Sequence, residues 1–276
     1  MKRPSLLLIP LLLGTVVSAQ QHTVNVNPKR IVKQTKELPS CSFASILNSL
    51  AFGSRSFQSV YDHIPGTLAS EKLSFVVNKY GSRDSIVKPG NKSYIADVGM
   101  YSEDILATFN ALLSDYKAPQ LKGMYAERLS GETSFAYLRR VHQHLSQSLS
   151  KKTPIVASVE SYAAYEYKDY PSLKWKGGYS HNILITSVPR ELAAYEKGFT
   201  FTFVDSLQGT IEQGYVYAED TREFQAVRRN GPDFEWMSGS PLLLVVLPSL
   251  SLGTEREAWN IRTIMTLSYI IGRFSE

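Results

Sequence analysis

A thiol, an imidazole and a carboxylate suffice for nucleophilic acyl transfer if the thiol is kept ionised. This chain of 276 residues has one cysteine for that role, Cys41. Its surroundings read LPSCSFASILNSL over residues 38–50. Pro39 and Ser40 break what precedes, and Ile46, Leu47, Leu50 and Ala51 recur at helical spacing, so the spacing predicts a helix opening at Cys41. The unsatisfied N–H groups and positive dipole end of a first helical turn favour thiolate over thiol. A lone cysteine has two plainer readings, an intermolecular bridge or a small buried apolar residue.

A nucleophile needs a base, and the chain offers His22, His63, His142, His144 and His181. His22 falls in a polar N-terminal stretch, and His63 in the turn-like YDHIPG. His142 and His144 stand two apart on a predicted helix, where they face different ways and read as solvated. His181 differs: it follows Gly177-Gly178-Tyr179-Ser180 and opens a β-rich run to Val188. The next such run, Phe199 to Val204, ends at Asp205. An antiparallel pairing centred on residue 193 sets His181 opposite Asp205, Ile183 opposite Phe203 and Ile185 opposite Phe201. A carboxylate beside an imidazole selects its tautomer and stabilises its protonated form.

These residues need elements to carry them. Up to about residue 150 the signals are mostly helical. Ser102 precedes Glu103 and Asp104 and then a stripe of Ile105, Leu106, Phe109, Leu112 and Leu113. Thr133 or Ser134 starts another helix, with Phe135, Leu138, Val141, Leu145 and Leu149 on one face. After 150 come short β-rich runs at Ile155 to Val159, Asn182 to Val188, Phe199 to Val204, Ile211 to Tyr217 and Leu242 to Leu247. The expectation is an α+β protein with a helical N-terminal half and an antiparallel β C-terminal half. Thr254 to Phe274 reads as an amphipathic helix packed on that body. Between the strand runs, Ser161 to Tyr179 carries Tyr162, Tyr165, Tyr167, Tyr170, Trp175 and Tyr179 directly before the histidine. Such aromatics give either rigid contact area for a substrate or a hairpin packed by its own rings.

Composition narrows the setting. At 43% hydrophobic and 20% charged the chain can bury a core and is not a disordered one. A single cysteine excludes a disulfide scaffold and a cysteine-based zinc site. Met1 to Ala19 reads as a secretory signal, with Lys2 and Arg3, an apolar run from Leu6 to Val17, and small residues at Val17-Ser18-Ala19. The run is too short for a membrane span and contains Pro10. The expected product is exported, secreted or periplasmic, begins near Gln20, and has no stable membrane insertion after cleavage. Without Lys2 and Arg3 its net charge falls from +5 to +3. No basic block interleaved with aromatics points to nucleic acid. Asn91-Lys92-Ser93 is a glycosylation sequon, relevant in a eukaryotic secretory route.

The order of a cysteine at a helix start, a histidine at a strand start and an acid after the next strand resembles the papain-like cysteine peptidases. Their two halves form lobes with the cleft between them. Within that clan the chain resembles the leader-peptidase-like branch, the double-glycine bacteriocin-processing peptidases, through Cys41 with Ala44-Ser45, through His181, and through Asp205 in FVDSLQG. Phytochelatin synthases share a Cys-x-x-Ala-Ser start and a Gly-His segment. The resemblance covers roughly residues 31–247 as an order of elements. It implies a two-lobed fold, a Cys41–His181–Asp205 triad, and an oxyanion-holding glutamine. That glutamine usually precedes the cysteine by six residues; here Gln34 precedes it by seven, and Thr35 takes the usual place. Ser42 and Ser180 stand where the branch has glycine.

The domain organisation expected is thus a signal peptide at 1–19, a mature N-terminal tail at 20–30, a peptidase domain at 31–250 and a C-terminal helix at 251–276. The reaction expected is hydrolysis of a peptide or amide bond in a peptide or protein substrate, without metal or organic cofactor. Tyr179, Trp175 and Ser180 are the candidate substrate-binding residues. Two alternatives stand beside it: an acyl or peptidyl transferase on the same triad, and a catalytically dead binding module.

Overall fold

The structure, a computed structural model, describes residues 20–34, 40–95, 99–165, 174–218, 226–230, 233–237, 243–250 and 263–275. The expected signal segment at 1–19 lies outside them. In chain order the elements are β1 (Gln21–Thr23), a 3-10 turn (Pro28–Arg30), α1 (Cys41–Phe52), α2 (Arg55–His63), α3 (Ala69–Val76) continuing into a π turn (Val77–Gly81), α4 (Ser102–Asp115), β2 (Lys122–Tyr125) and α5 (Ser134–Ser150). Eight strands follow: β3 (Ile155–Tyr165), β4 (Lys174–Pro189), β5 (Gly198–Asp205), β6 (Thr210–Ala218), β7 (Ala226–Asn230), β8 (Asp233–Met237), β9 (Leu243–Val246) and β10 (Thr263–Gly272). The chain is therefore mixed α and β.

The pairings β3–β4, β4–β5, β5–β6, β6–β9, β9–β10 and β10–β3 are all antiparallel and close on themselves. They make a six-stranded antiparallel barrel, which leaves its members no free edge along the ring. β3, β4 and the end of β5 are covered on both faces, while β6 keeps Ile211 and Tyr215 exposed. Ile155, Ala157, Val159, Ile183, Ile185 and Phe203 share a core with Leu138, Val141 and Leu145 of α5. The alternate residues Val156, Leu184 and Val204 belong to a second core with α1 to α4. This alternation is the period-two geometry of a strand.

α1 lies in that second core, and every residue from Ser42 to Phe52 is buried. A helix buried all round must satisfy its polar side chains internally. Ser45 Oγ donates to the carbonyl of Asn182 at 2.9 Å, and Ser49 Oγ to that of Pro154 at 3.3 Å. Small hydroxyl residues on this stripe bring α1 close against β4 and the start of β3. Asn48 anchors the approaching chain: its Oδ1 accepts from Val32 N–H at 2.7 Å, and its Nδ2 donates to the Val32 carbonyl at 2.9 Å. Asn48→Ala leaves both buried groups of Val32 unpaired, and each such orphan costs about 1–3 kcal/mol. We expect a loss of about 2–5 kcal/mol in urea unfolding; a loss below ~1 kcal/mol would show that the clamp contributes little to stability.

Two sequence expectations are corrected here. Residues 20–30 are not a free tail, because β1 pairs with β4 through Gln21↔Pro189, His22↔Val188 and Thr23↔Ser187, and Val24 is buried. β3 pairs with β4 only as far as Ile185, and β1 covers the edge beyond. The C-terminal segment is not a helix over 263–272 but strand β10, at the centre of the sheet between β3 on one side and β9 and β2 on the other. Tyr269 and Ile271 enter the helical core, and Leu267 and Ile270 the α5 core. A strand buried on both faces loses polar alternation, and its apolar run then mimics a helical stripe. β-branched Ile264, Thr266, Ile270 and Ile271 favour the strand. The barrel therefore extends past residue 250, while 251–262 lie outside the described residues.

Among the described residues no helix is long and apolar enough to cross a membrane.

Candidate functional site

Cys41 is the first residue of α1, where the carbonyl of Ser40 accepts the N–H of Ala44 at 2.9 Å. The thiol is free and half-buried. Against it stands the middle of β4. His181 pairs with Val159 on β3, is 4% exposed, and lies near enough to the Cys41 sulfur for each to shift the ionisation of the other. Its Nε2 meets Asp205 Oδ1 at 2.9 Å, which leaves Nδ1 as the ring nitrogen for sulfur.

Asp205 ends β5 and is fully buried. Its carboxylate also accepts the backbone N–H groups of Leu207 (2.8 Å) and Gln208 (3.3 Å), so the turn after β5 holds the acid in place. The register differs from the expected one. Ile183, not His181, is the Cα partner of Asp205, and Ile185 pairs with Phe203. The connecting turn is built further along the chain than expected, with Glu196 Oε2 accepting the Ala193 N–H and the Glu196 N–H returning to the Ala193 carbonyl. A bulge at Thr186, where Ile185↔Phe203 is followed by Ser187↔Thr202, takes back one of the three steps the turn introduces. The net slip is two residues, which preserves every side chain's face. His181 and Asp205 thus meet diagonally across the ladder, within reach of long side chains.

The electrostatics follow from this arrangement. Burial pushes the Cys41 thiol up, but the hydrogen bond and charge of His181, with hydrogen bonds from Asn182, bring it down from 9.0 to about 7. Burial pushes His181 down, and the hydrogen bonds of Asp205 and Cys41 with their charges raise it to about 9. Burial pushes the Asp205 carboxyl up, and His181 with the turn N–H groups holds it below the usual carboxylate value. Between about 7 and about 9 a thiolate–imidazolium pair is therefore the favoured state.

Gln34 is tied to the same place through its backbone, whose N–H donates to the carbonyl of Ser206, the residue after Asp205. The preceding Lys33 lies across Gly209, where φ is +71° and an added Cβ would stand 1.9 Å from Lys33 Cε. Gln34 Oε1 is buried and has no hydrogen-bond partner among the described residues. Thr35 lies outside them.

Ser180 is exposed and pairs with Glu160 directly before His181. Between Glu160↔Ser180 and Tyr162↔Gly177 the ladder is irregular, with Gly178 and Tyr179 of β4 against the single residue Ser161 of β3. Ser161 Oγ accepts the Tyr179 N–H at 3.0 Å, satisfying a donor the bulge removes from the ladder. Tyr179 is 52% exposed. Trp175 sits on β4 between Ala164 and Ala226, six residues and so about 20 Å of strand from His181. The structure places it away from the thiol. Tyr162 is buried, and Tyr167 and Tyr170 lie outside the described residues.

The other histidines are not at this site. His142 is buried rather than solvated: its ring bonds to the Pro189 carbonyl at 2.7 Å and meets the edge of Phe199, because α5 presents it to the sheet. His144 meets Phe274, and His63 ends α2. Among the described residues no three His, Cys, Asp or Glu side chains come together to hold a metal ion. Sequence reasoning passed over Asn182, whose side chain reaches the sulfur at 3.5 Å. Its only sequence signal is its place next to His181.

No family model, no curated protein and no solved structure matches this chain.

Proposed function

We propose that this protein is an exported cysteine hydrolase that cleaves a peptide or amide bond through Cys41, His181 and Asp205. In this reading the helical core and the barrel are the two lobes of a papain-like fold, and the site lies between α1 and β4. The observation that carries the reading is one constellation: a thiol at a helix start, beside an imidazole whose far nitrogen meets a buried carboxylate at 2.9 Å, with the residue after that histidine donating to the sulfur. A structural cysteine has no need of such a partner. The charged start and apolar run of residues 1–19 support export.

The reaction begins when the Cys41 thiolate attacks the acyl carbon and the carbonyl π electrons move onto oxygen. The Cys41 backbone N–H and the Gln34 side-chain amide receive that oxyanion. As the carbon–nitrogen bond breaks, His181 passes its proton from Nδ1 to the leaving amine, and a thioester remains. His181 then takes a proton from water, which attacks the thioester and frees the acid and the thiolate. Asp205 holds the ring with Nδ1 toward sulfur and stabilises its charged form. Tyr179 and Ser180 flank the path of the substrate.

The test is a peptide library incubated with the chain from Gln20 onward, beside Cys41→Ala, with products and acid-quenched protein weighed by mass spectrometry. Cleavage and an acyl adduct in the parent protein, both absent from Cys41→Ala, support the reading. Products carrying an added amine in place of water assign a transferase on the same residues. No cleavage and no adduct with any peptide overturns it.

Gln34→Ala is expected to lower kcat about 10²–10³-fold, the usual effect of losing one oxyanion donor, with the Cys41 thiol pKa unmoved. A parallel loss of thiol ionisation would place Gln34 in the thiolate's environment instead.

A further inference from the structure

Asn182 follows His181 on β4, is 6% exposed, and has each of its polar atoms engaged. Its Nδ2 lies 3.5 Å from Cys41 Sγ and donates to Ser42 Oγ at 3.0 Å. Its Oδ1 accepts from Ser158 Oγ, across the ladder on β3, at 2.9 Å. Its carbonyl accepts from Ser45 Oγ at 2.9 Å. One residue is thus gripped by strand β3 and by the first turn of α1, and its side-chain amide meets the nucleophile.

The orientation of the side chain matters. An amide has one accepting end and one donating end, and a thiolate can only accept. The Ser158 hydroxyl occupies the accepting end, so the NH₂ group turns to α1. Its two hydrogens then have two acceptors, the sulfur and Ser42 Oγ. An asparagine needed only for packing between strand and helix would not have to point its donors at the sulfur.

We propose that Asn182 is a second donor to the Cys41 thiolate, keeping the sulfur charged and aimed until it attacks the acyl carbon and receiving it again when the thioester is hydrolysed. The proposal rests on the reading of Cys41 and His181 as an activated pair. It complements His181 with a donor that gives no proton to the leaving amine and so stays with the sulfur each time the thiolate is regenerated. Ser158 is then a positioning residue, acting through Asn182.

The experiment is the pH dependence of Cys41 alkylation by iodoacetamide, with thermal melts, in the parent protein, Asn182→Ala, Asn182→Asp and Ser42→Ala. Asn182→Ala is expected to raise the ionisation midpoint by about one unit, cutting the thiolate at pH 7 about fivefold. Asn182→Asp keeps the volume and the acceptor for Ser158 but faces the sulfur with a carboxylate, so its midpoint should rise further. Ser42→Ala leaves the sulfur as the sole acceptor of Nδ2, so its midpoint should hold or fall. A lowered melting temperature with unmoved midpoints in both Asn182 variants overturns the proposal, as does a raised midpoint in Ser42→Ala. If Asn182→Ala fails to fold, Asn182→Asp carries the same comparison. Alkylation needs no substrate, so an empty peptide screen leaves a shifted midpoint standing. Cleavage with unshifted midpoints removes the donor role alone.

Discussion

Replacing His181 with alanine is expected to cut the Cys41 thiolate present at pH 7 by at least about 15-fold. In the intact site the thiol titrates near 7, so about half is ionised there. Burial by itself pushes that thiol up, and the largest opposing influence is the hydrogen bond from His181. Without it, even a return to the free-cysteine value of about 8.5 leaves roughly 3% thiolate at pH 7. The rate of alkylation by iodoacetamide reads this directly, since the thiolate is the reacting form. The parent protein should show a rise in rate near pH 7, and His181→Ala should show it displaced above 8. A profile indifferent to the histidine would remove the activated pair and with it the hydrolase reading. For turnover the profile should be bell-shaped. Activity rises as the thiol ionises near 7 and falls as the imidazolium loses its proton near 9. Both limbs belong to the coupled pair rather than to either residue alone.

Asp205→Asn is expected to lower kcat/KM by about 10³–10⁴-fold, comparable to removing the acid from other triads. The carboxylate is fully buried and bonded to Nε2, so it stabilises a buried imidazolium that has no water to replace it. An amide in its place carries no charge, and its NH₂ end can compel Nε2 to accept, which places the only ring proton on Nδ1 in the neutral form. The alkaline limb should therefore move down from about 9. The same variant costs stability, because Asp205 also accepts the N–H groups of Leu207 and Gln208. An unsatisfied N–H there costs about 1–3 kcal/mol. In the parent protein the three groups contribute to the pH dependence of stability with different signs. Asp205 is lowered below 3.8 on folding, so its contribution is present above that value and is lost as pH falls through the folded pKa. His181 is raised, so its contribution is whole below 6.5 and is lost as pH rises through about 9. Cys41 works in the opposite sense: its thiol is lowered from 9.0 to about 7, so its contribution grows as pH rises between those values, and urea unfolding between pH 7 and 9 should show little net slope. Unchanged turnover in Asp205→Asn would take the acid out of the mechanism.

Much of this site was legible in the chain because the signals are local. A helix announces its first turn through a break and the onset of period-3.6 apolar residues, and Cys41 sits at that onset. A strand announces its end through turn residues, and Asp205 stands at one, whereas His181, expected to open a strand, lies in the middle of β4. Thr133 caps α5 as its hydroxyl suggests, accepting the Ala136 N–H at 3.2 Å. The five β-rich runs expected after residue 150 each fall within a strand or overlap one by most of their length.

What the tertiary structure decided is of another kind. The β4–β5 register depends on where a turn folds, and Glu196 built that turn so that the pairing slipped by two. The meeting of His181 and Asp205 survived because a slip of two keeps both side chains on their face. β10 and β1 became strands because β3, β9 and β4 offered them ladders; the β-branched residues of 263–272 favour a strand but do not by themselves exclude the helix. Asn182 looks like any polar residue near a strand end until Ser158 from one strand and Ser42 from one helix close around it. Local sequence determined which groups could do the chemistry, since capping and periodicity act over a few residues. Long-range packing decided which of them touch, since a hydrogen bond spanning 140 residues of chain between Asn182 and Ser42 exists only once the barrel and α1 have come together.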